Sequence, residues 1–430
     1  MTAEVALFNR SAVALAADSA TTITYWDQGK QIERFFKGAN KIFHISEREP
    51  IGLMIYDAAS MQGLPWETIA KAYRESSIGR VRNALEEYAK DFFDYIVNDG
   101  HLFPREYQER QLISGLADTF FRVCNVMNPS KEDGEKLSAD KRSALIKKKL
   151  ADFKPFIEKA PFISEVDQEF VNKHAEPVYE QVLKNVSEVF VFKNIKDDAD
   201  PKEIFHVAAT ALFKRDWTTL QKTGLVFAGF GKNQYFPHLS HYICYGVLCG
   251  KLLCEEQGDQ VRINHENVSE IKDFAQSEMV KTFVYGASVS ALNHIDSVFV
   301  KAVDGLIDEI TKAGHLDAGV DAEPFKQAAK RQFTDDTALH LADAHTVPLR
   351  NVIGMLAVDE LAELAETLIS IESLKERVTR PTASVSGPID VAVISKTDGF
   401  IWIKRKHYFD PKINPRFFAR KGLTREHTNG

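Results

Sequence analysis

Thr2-Ala3-Glu4-Val5-Ala6-Leu7-Phe8-Asn9-Arg10-Ser11-Ala12-Val13-Ala14-Leu15-Ala16-Ala17-Asp18-Ser19 is the stretch on which the fold turns. Val5 and Leu7 alternate with other side chains as in a strand, and Asn9-Arg10-Ser11 makes a turn. Ala12 to Ala17 is apolar throughout, which predicts a second strand covered on both faces. A threonine stands directly behind the initiator Met1, with an aspartate sixteen residues later. Met1 is expected to be removed when the second residue is small, leaving Thr2 with a free α-amine beside its own hydroxyl. A hydroxyl is a poor nucleophile at neutral pH and needs a nearby base. An α-amine titrates at roughly 7.7–8.0, so one residue supplies both.

Outward from this stretch, composition sets the class. The chain has 430 residues with ordinary apolar and charged fractions, enough for one large domain or two smaller ones. A net charge of −7 argues against nucleic acid as the main partner. No apolar run is long enough to span a bilayer, and the N-terminus has no secretory signal pattern, so a cytoplasmic protein is expected. Cys124, Cys244, Cys249 and Cys254 match no zinc or redox spacing and are expected to be buried free thiols.

Further strands are expected at Thr21 to Tyr25, Lys41 to Ile45 and Ile51 to Tyr56. Leu85, Tyr88, Phe92 and Ile96 then mark one buried helix face. The charged stretch 128–222 reads as helical. Gly224 to Gly231 and Tyr242 to Leu248 return to strand; Phe274 to Leu292, Val298 to Lys312 and Leu356 to Val378 read as helices. Ile389 to Ser395 and Phe400 to Lys404 form a hairpin around Asp398-Gly399. The expected class is α+β, with helices packed outside sheets. The expected parts are two halves of a core at 1–127 and 346–409, core strands and a helix at 223–294, helical insertions at 128–222 and 295–345, and a basic tail at 410–430.

Three phrases resemble a proteasome β-type subunit of the N-terminal-nucleophile (Ntn) hydrolases. They are Thr2 with Leu15-Ala16-Ala17-Asp18, Asn40-Lys41-Ile42 followed by Gly52 to Tyr56 and Ala58-Ala59, and Ser386-Gly387 ahead of Ile389 to Ile394. The resemblance covers about half the chain, as an enlarged bacterial-type relative. It implies an αββα sandwich of two antiparallel sheets between helix layers, with extra helical insertions. It implies a threonine-type amide hydrolase, a peptidase, with Thr2 as nucleophile and Lys41 as a cation beside it. Asp18 would pair with Lys41, and Ser386 would orient the amine and a water. Oxyanion donors would be backbone N–H groups of Tyr56, Asp57 or Ala58. Lys30 and Lys37 compete with Lys41, and Ser277 or Ser288 stands for the family's middle serine. The family's aspartate before the late serine is here Ala383, and its glycine-rich oxyanion turn here contains Asp57. The resemblance calls for no cofactor and no metal. Its partners are a homo-oligomer, a peptide or other amide substrate and, by analogy alone, an ATPase or regulator. The alternative is an inactive scaffold whose helical insertions bind a partner.

His238 with His241, and His340 with His345, lack a third metal ligand and read as core or surface histidines. Lys404-Arg405-Lys406-His407 with Arg416, Arg420 and Lys421 reads as a basic tail for docking or solvation rather than for nucleic acid.

Overall fold

The computed structural model describes residues 2–27, 30–129, 138–187, 189, 192, 195, 197–315, 320–379, 385–407, 409–416 and 419; Met1 and Ala383 lie outside them. Two antiparallel sheets carry the architecture. In chain order the strands are β1 (Ala3–Asn9), β2 (Ala12–Ala17), β3 (Thr21–Asp27), β4 (Lys30–Phe36), β5 (Ile42–His44), β6 (Ile51–Asp57), β7 (Ser60–Met61) and β8 (Leu64–Pro65). After a long helical stretch come β9 (Thr223–Gly229), β10 (His238–Leu248), β11 (Lys251–Glu256), β12 (Val261–Arg262) and β13 (Ser269–Ala275), and finally β14 (Asp390–Ser395) and β15 (Gly399–Lys404). The first sheet has the order β13-β1-β2-β14-β15; the second runs β11-β10-β9-β6-β5, with β12 paired to β10.

Side-chain alternation sorts these strands into layers. Ala6, Phe8, Val13, Leu15, Met54, Val226, Ala228 and Ile394 form a core between the two sheets. The opposite face of β1 and β2, with Val5, Leu7, Ala14 and Ala16, packs on Leu361, Ala365, Leu368 and Ile369 of the helix Val358–Thr379. The outer face of the second sheet, with Leu53, Ile55 and Phe227, packs on Trp66, Tyr73 and Phe92 of the helices Trp66–Ser76 and Leu85–Asn98. Both faces of the central strands are thereby dry, which is why β1 and β2 are buried at every residue. Each fully buried leucine or phenylalanine here contributes about 1.5–3 kcal/mol. The turn between β1 and β2 is held by Asn9, whose Oδ1 accepts from Ser11 N at 2.9 Å and Ala12 N at 3.0 Å.

Two helical units attach to this body in different ways. The helices Arg105–Met127, Ala139–Lys159, Gln168–Ala175, Tyr179–Val186 and Pro201–Leu212 share a core that also takes in Tyr245, Leu248 and Leu253 of the second sheet. Arg105–Met127 contributes Leu112, Leu116, Phe120 and Val123 to this core. The helices Val289–Lys312 and Glu323–Leu341 bury no residue at all and touch each other through stacked Phe299 and Phe333, 4.1 Å between ring centres. Among the described residues no helix is long and apolar enough to cross a membrane.

Two expectations are corrected. Phe274 is strand, not helix: β13 adds Ser269–Ala275 to the edge of β1, and the helix starts only at Glu278. Cys244 and Cys254 are not free thiols. They face each other across β10 and β11, ten residues apart around the turn at Cys249-Gly250, and are joined as a disulfide. Cys124 and Cys249 are free. The basic segment lies partly against its own body. Lys404 pairs with Glu366, Lys406 with Asp390, and Arg405 stands 4.7 Å above the Trp402 ring; Lys421 and Arg420 fall outside the described residues.

Candidate active site

Thr2, Asp18, Lys41 and Ser386 meet at one end of the two sheets. Thr2 leads into β1 and is only 3% exposed, with its carbonyl accepting from Gln276 N at 2.8 Å just past β13. Asp18 follows β2 and lies next to the start of β1, because Asp18 N donates to Ala3 O at 3.2 Å. The hairpin of β3 and β4 is an excursion between Asp18 and Lys41. Its base is closed by Ala39 N donating to Ser19 O at 3.1 Å, so the added length leaves Asp18 and Lys41 adjacent. Lys41 precedes β5, and its carbonyl accepts from Ile55 N at 2.8 Å, which ties it to the second sheet.

Lys41 is 3% exposed, and its Nζ lies 2.5 Å from Asp18 Oδ1. Asp18 has a full set of donors. Oδ1 also accepts from Ala3 N at 3.0 Å, and Oδ2 accepts from Ala20 N at 3.1 Å and Ser386 N at 3.0 Å. Three backbone N–H groups and an ammonium satisfy a buried carboxylate that would otherwise be costly to bury. They also bind three chain segments to one side chain. Ser386 is buried in the same place, and Ser19 Oγ donates to Pro388 O at 2.5 Å beside it. Gly387 has φ +89°, and a Cβ there would meet Lys37 Cβ at 3.2 Å, so glycine lets the two segments pass closely. Lys37 itself is exposed, which leaves Lys41 as the lysine among these groups; the side chain of Lys30 is outside the described residues.

One member was not singled out from the sequence. Glu4 is 1% exposed, accepts from the Thr2 hydroxyl at 3.3 Å, and places its other oxygen 3.1 Å from Lys41 Nζ. Thr2, Glu4, Lys41 and Asp18 therefore form a continuous buried chain of polar contacts. Burial pushes the Glu4 carboxyl up to about 8, with Lys41 opposing the rise and Asp18 adding to it. The signal in the sequence was a lone carboxylate inside β1, a strand otherwise apolar up to Asn9.

The turn expected to supply oxyanion donors ends β6. Tyr56 and Asp57 still pair with Gly224 and Thr223, and Ala58 is the first residue past the ladder. Asp57 adopts φ +64°, the left-handed conformation that favours glycine. Ala58 is anchored behind: its carbonyl accepts from Thr223 Oγ1 at 3.1 Å, and Thr223 Oγ1 accepts from Trp66 Nε1 at 3.0 Å. The Tyr56 ring lies across Gly224, where a Cβ would come within 1.9 Å of it. Its hydroxyl is 2.7 Å from His241 Nε2, and His241 Nδ1 is 2.8 Å from Asp259 Oδ1. Burial raises the Tyr56 phenol well above its ordinary range. Hydrogen bonding to His241 holds Asp259 below the usual carboxylate range, against the effect of its burial. A cleft of about 540 Å³ opens beside Tyr56 and His241, bordered also by Arg215, Lys222, Tyr245 and Glu255.

No protein-family model and no curated protein matches the chain. Among solved structures, the Gly-1 mutant of Anbu from Hyphomicrobium sp. strain MC1 aligns at 10% identity and a TM-score of 0.28, over 100% of this chain and 97% of that one. A likeness of that size decides neither fold nor chemistry, which rest on the contacts described above.

Of the two serines considered for the middle position, Ser277 is buried one residue past Gln276, the partner of the Thr2 carbonyl. Ser288 is remote in role: it caps the exposed helix Val289–Lys312 by accepting from Ala291 N at 3.2 Å.

Proposed function

We propose that this chain is a threonine-type amide hydrolase of the Ntn class, a peptidase, with Thr2 as nucleophile once Met1 is removed. The observation that carries the reading is the Thr2 hydroxyl at the head of the buried chain through Glu4, Lys41 and Asp18. Thr2 Oγ attacks the amide carbonyl. The Lys41 ammonium favours the developing alkoxide, and Asp18 holds that ammonium in place. The α-amine of mature Thr2 is a base within reach of its own hydroxyl, and Ser386 orients it with a water. Backbone N–H groups at Tyr56, Asp57 or Ala58 receive the negative charge on the former carbonyl oxygen. Assembly of several copies fits the exposed Ile295, Val298 and Leu306 of the unburied helix pair.

A second reading is a scaffold without catalysis, favoured by the same exposed helix pair and by the carboxylate of Asp57 at the oxyanion turn. An experiment separates the two. Intact mass shows whether Met1 is gone, and a peptide epoxyketone is then expected to add to Thr2 in the wild type and not in Thr2→Ala. Retained Met1, or equal turnover of an amide library by wild type and Thr2→Ala, would leave only the scaffold.

A further inference from the structure

We propose that the carboxylate of Glu4 receives the Thr2 hydroxyl proton, so that the base of this site is a side chain of β1 and not the chain's own terminal amine alone. The inference rests on the hydrolase reading above. Glu4 Oε2 accepts the hydrogen bond from Thr2 Oγ at 3.3 Å, and Glu4 Oε1 is held 3.1 Å from Lys41 Nζ. Both side chains are fixed, since Glu4 and Thr2 belong to the same strand end and Lys41 is locked to Asp18 at 2.5 Å. Glu4 shares the inner face of β1 with Ala6 and Phe8, which places it in the space between the sheets. The charged and titratable groups around it are Lys41 ahead of β5, Asp18 after β2 and Tyr56 on β6. Burial raises this carboxyl to about 8, so the carboxylate that takes the proton is the minor form at neutral pH and grows as pH rises toward that value.

The step balances without another reagent. The Thr2 Oγ–H bond breaks and its proton passes to Glu4 Oε2, while an Oγ lone pair forms the bond to the carbonyl carbon. The C=O π pair moves to oxygen. As that pair returns, the C–N bond breaks, and the nitrogen takes the proton back from Glu4 as the amine leaves. Thr2 is left as an ester and Glu4 as a carboxylate. Water then replaces the amine in the same sequence run backwards, freeing the acid and restoring the Thr2 hydroxyl. Lys41 keeps the carboxylate of Glu4 from going uncompensated in a dry site.

The test uses the full chain and a peptide β-lactone, which acylates a hydroxyl, with the Thr2 ester read by mass spectrometry at several pH values. Glu4→Gln keeps the shape of the side chain and the terminal amine. It is expected to slow acylation of Thr2 by about 10²-fold and to flatten its rise with pH. Glu4→Asp, with a carboxylate set back by one methylene, is expected to recover part of the rate and the pH dependence. Recovery of both by Asp but not by Gln is not produced by a structural role alone. Acylation of Glu4→Gln at the wild-type rate and with the wild-type pH profile overturns the assignment and leaves the hydrolase reading standing. If Glu4→Gln does not fold, Glu4→Asp decides: an unchanged rate there overturns the assignment. A wild type that takes no label at Thr2, with Met1 gone, removes the hydrolase reading and this inference with it.

Discussion

Replacing Glu4 by glutamine changes how stability depends on pH, and the size follows from the site. An ordinary glutamate titrates at 4.5, whereas Glu4 in the folded protein is raised to about 8 by burial. Between those values the folded chain holds a proton that the unfolded chain has released. Stability from this group is therefore fully present below the unfolded value and is lost as pH rises toward the folded one. The slope is about 1.4 kcal/mol per pH unit. Between about pH 5.5 and about pH 7.5 the wild type is expected to lose about 3 kcal/mol relative to Glu4→Gln, which has no proton to bind there. Urea unfolding of both proteins, followed by circular dichroism and tryptophan fluorescence, measures the difference directly. Subtracting one profile from the other cancels the titrating groups remote from Glu4. Parallel profiles would mean that Glu4 is ionised in the folded protein at all these pH values, and the reasoning about its burial would be refuted.

Substitutions at two further positions probe the end of β6 and its partner strand. Gly224→Ala puts a methyl group within 1.9 Å of the Tyr56 ring and forces the ring off His241. Overpacking at about 1–3 kcal/mol plus a buried imidazole nitrogen left unpaired predicts a loss of about 2–5 kcal/mol in urea unfolding; a loss below about 0.5 kcal/mol would show that the ring moves aside freely. Asp57→Val places a β-branched residue at φ +64° and is expected to cost about 1–2 kcal/mol, while Asp57→Gly costs nothing. Equal stabilities for the two variants would contradict the left-handed conformation at this position.

Much of the sheet was legible because β1, β2 and β6 are buried on both faces and carry almost continuous apolar runs. Asp18, Lys41 and Ser386 stand in the phrases that resemble the proteasome-type family, and the structure brings them together around one carboxylate. Glu4 escaped because a single charged residue in a strand reads as a solvent-facing position, and only the second sheet shows that no solvent is there. β13 escaped for the opposite reason: Ser269-Glu270-Ile271-Lys272-Asp273 is polar enough for a loop or helix and gains its strand form from pairing along the whole of β1. The two helical units read alike as charged helical sequence, and only packing separates the one with its own core from the one with none. The Cys244–Cys254 link depends on cross-strand register, which spacing does not encode.

The helix pair Val289–Lys312 and Glu323–Leu341 shares no core with the sheets and is rooted at its base, where Thr346 Oγ1 donates to Val284 O at 3.1 Å. Substitutions along most of its length leave the packing that positions Thr2 untouched. Mutation can therefore explore this appendage while the groups around Thr2 stay under separate constraint. Association through the exposed face of the pair and the chemistry around Thr2 can change independently within a single chain, and shortening the pair is expected to alter how copies associate without rebuilding the rest.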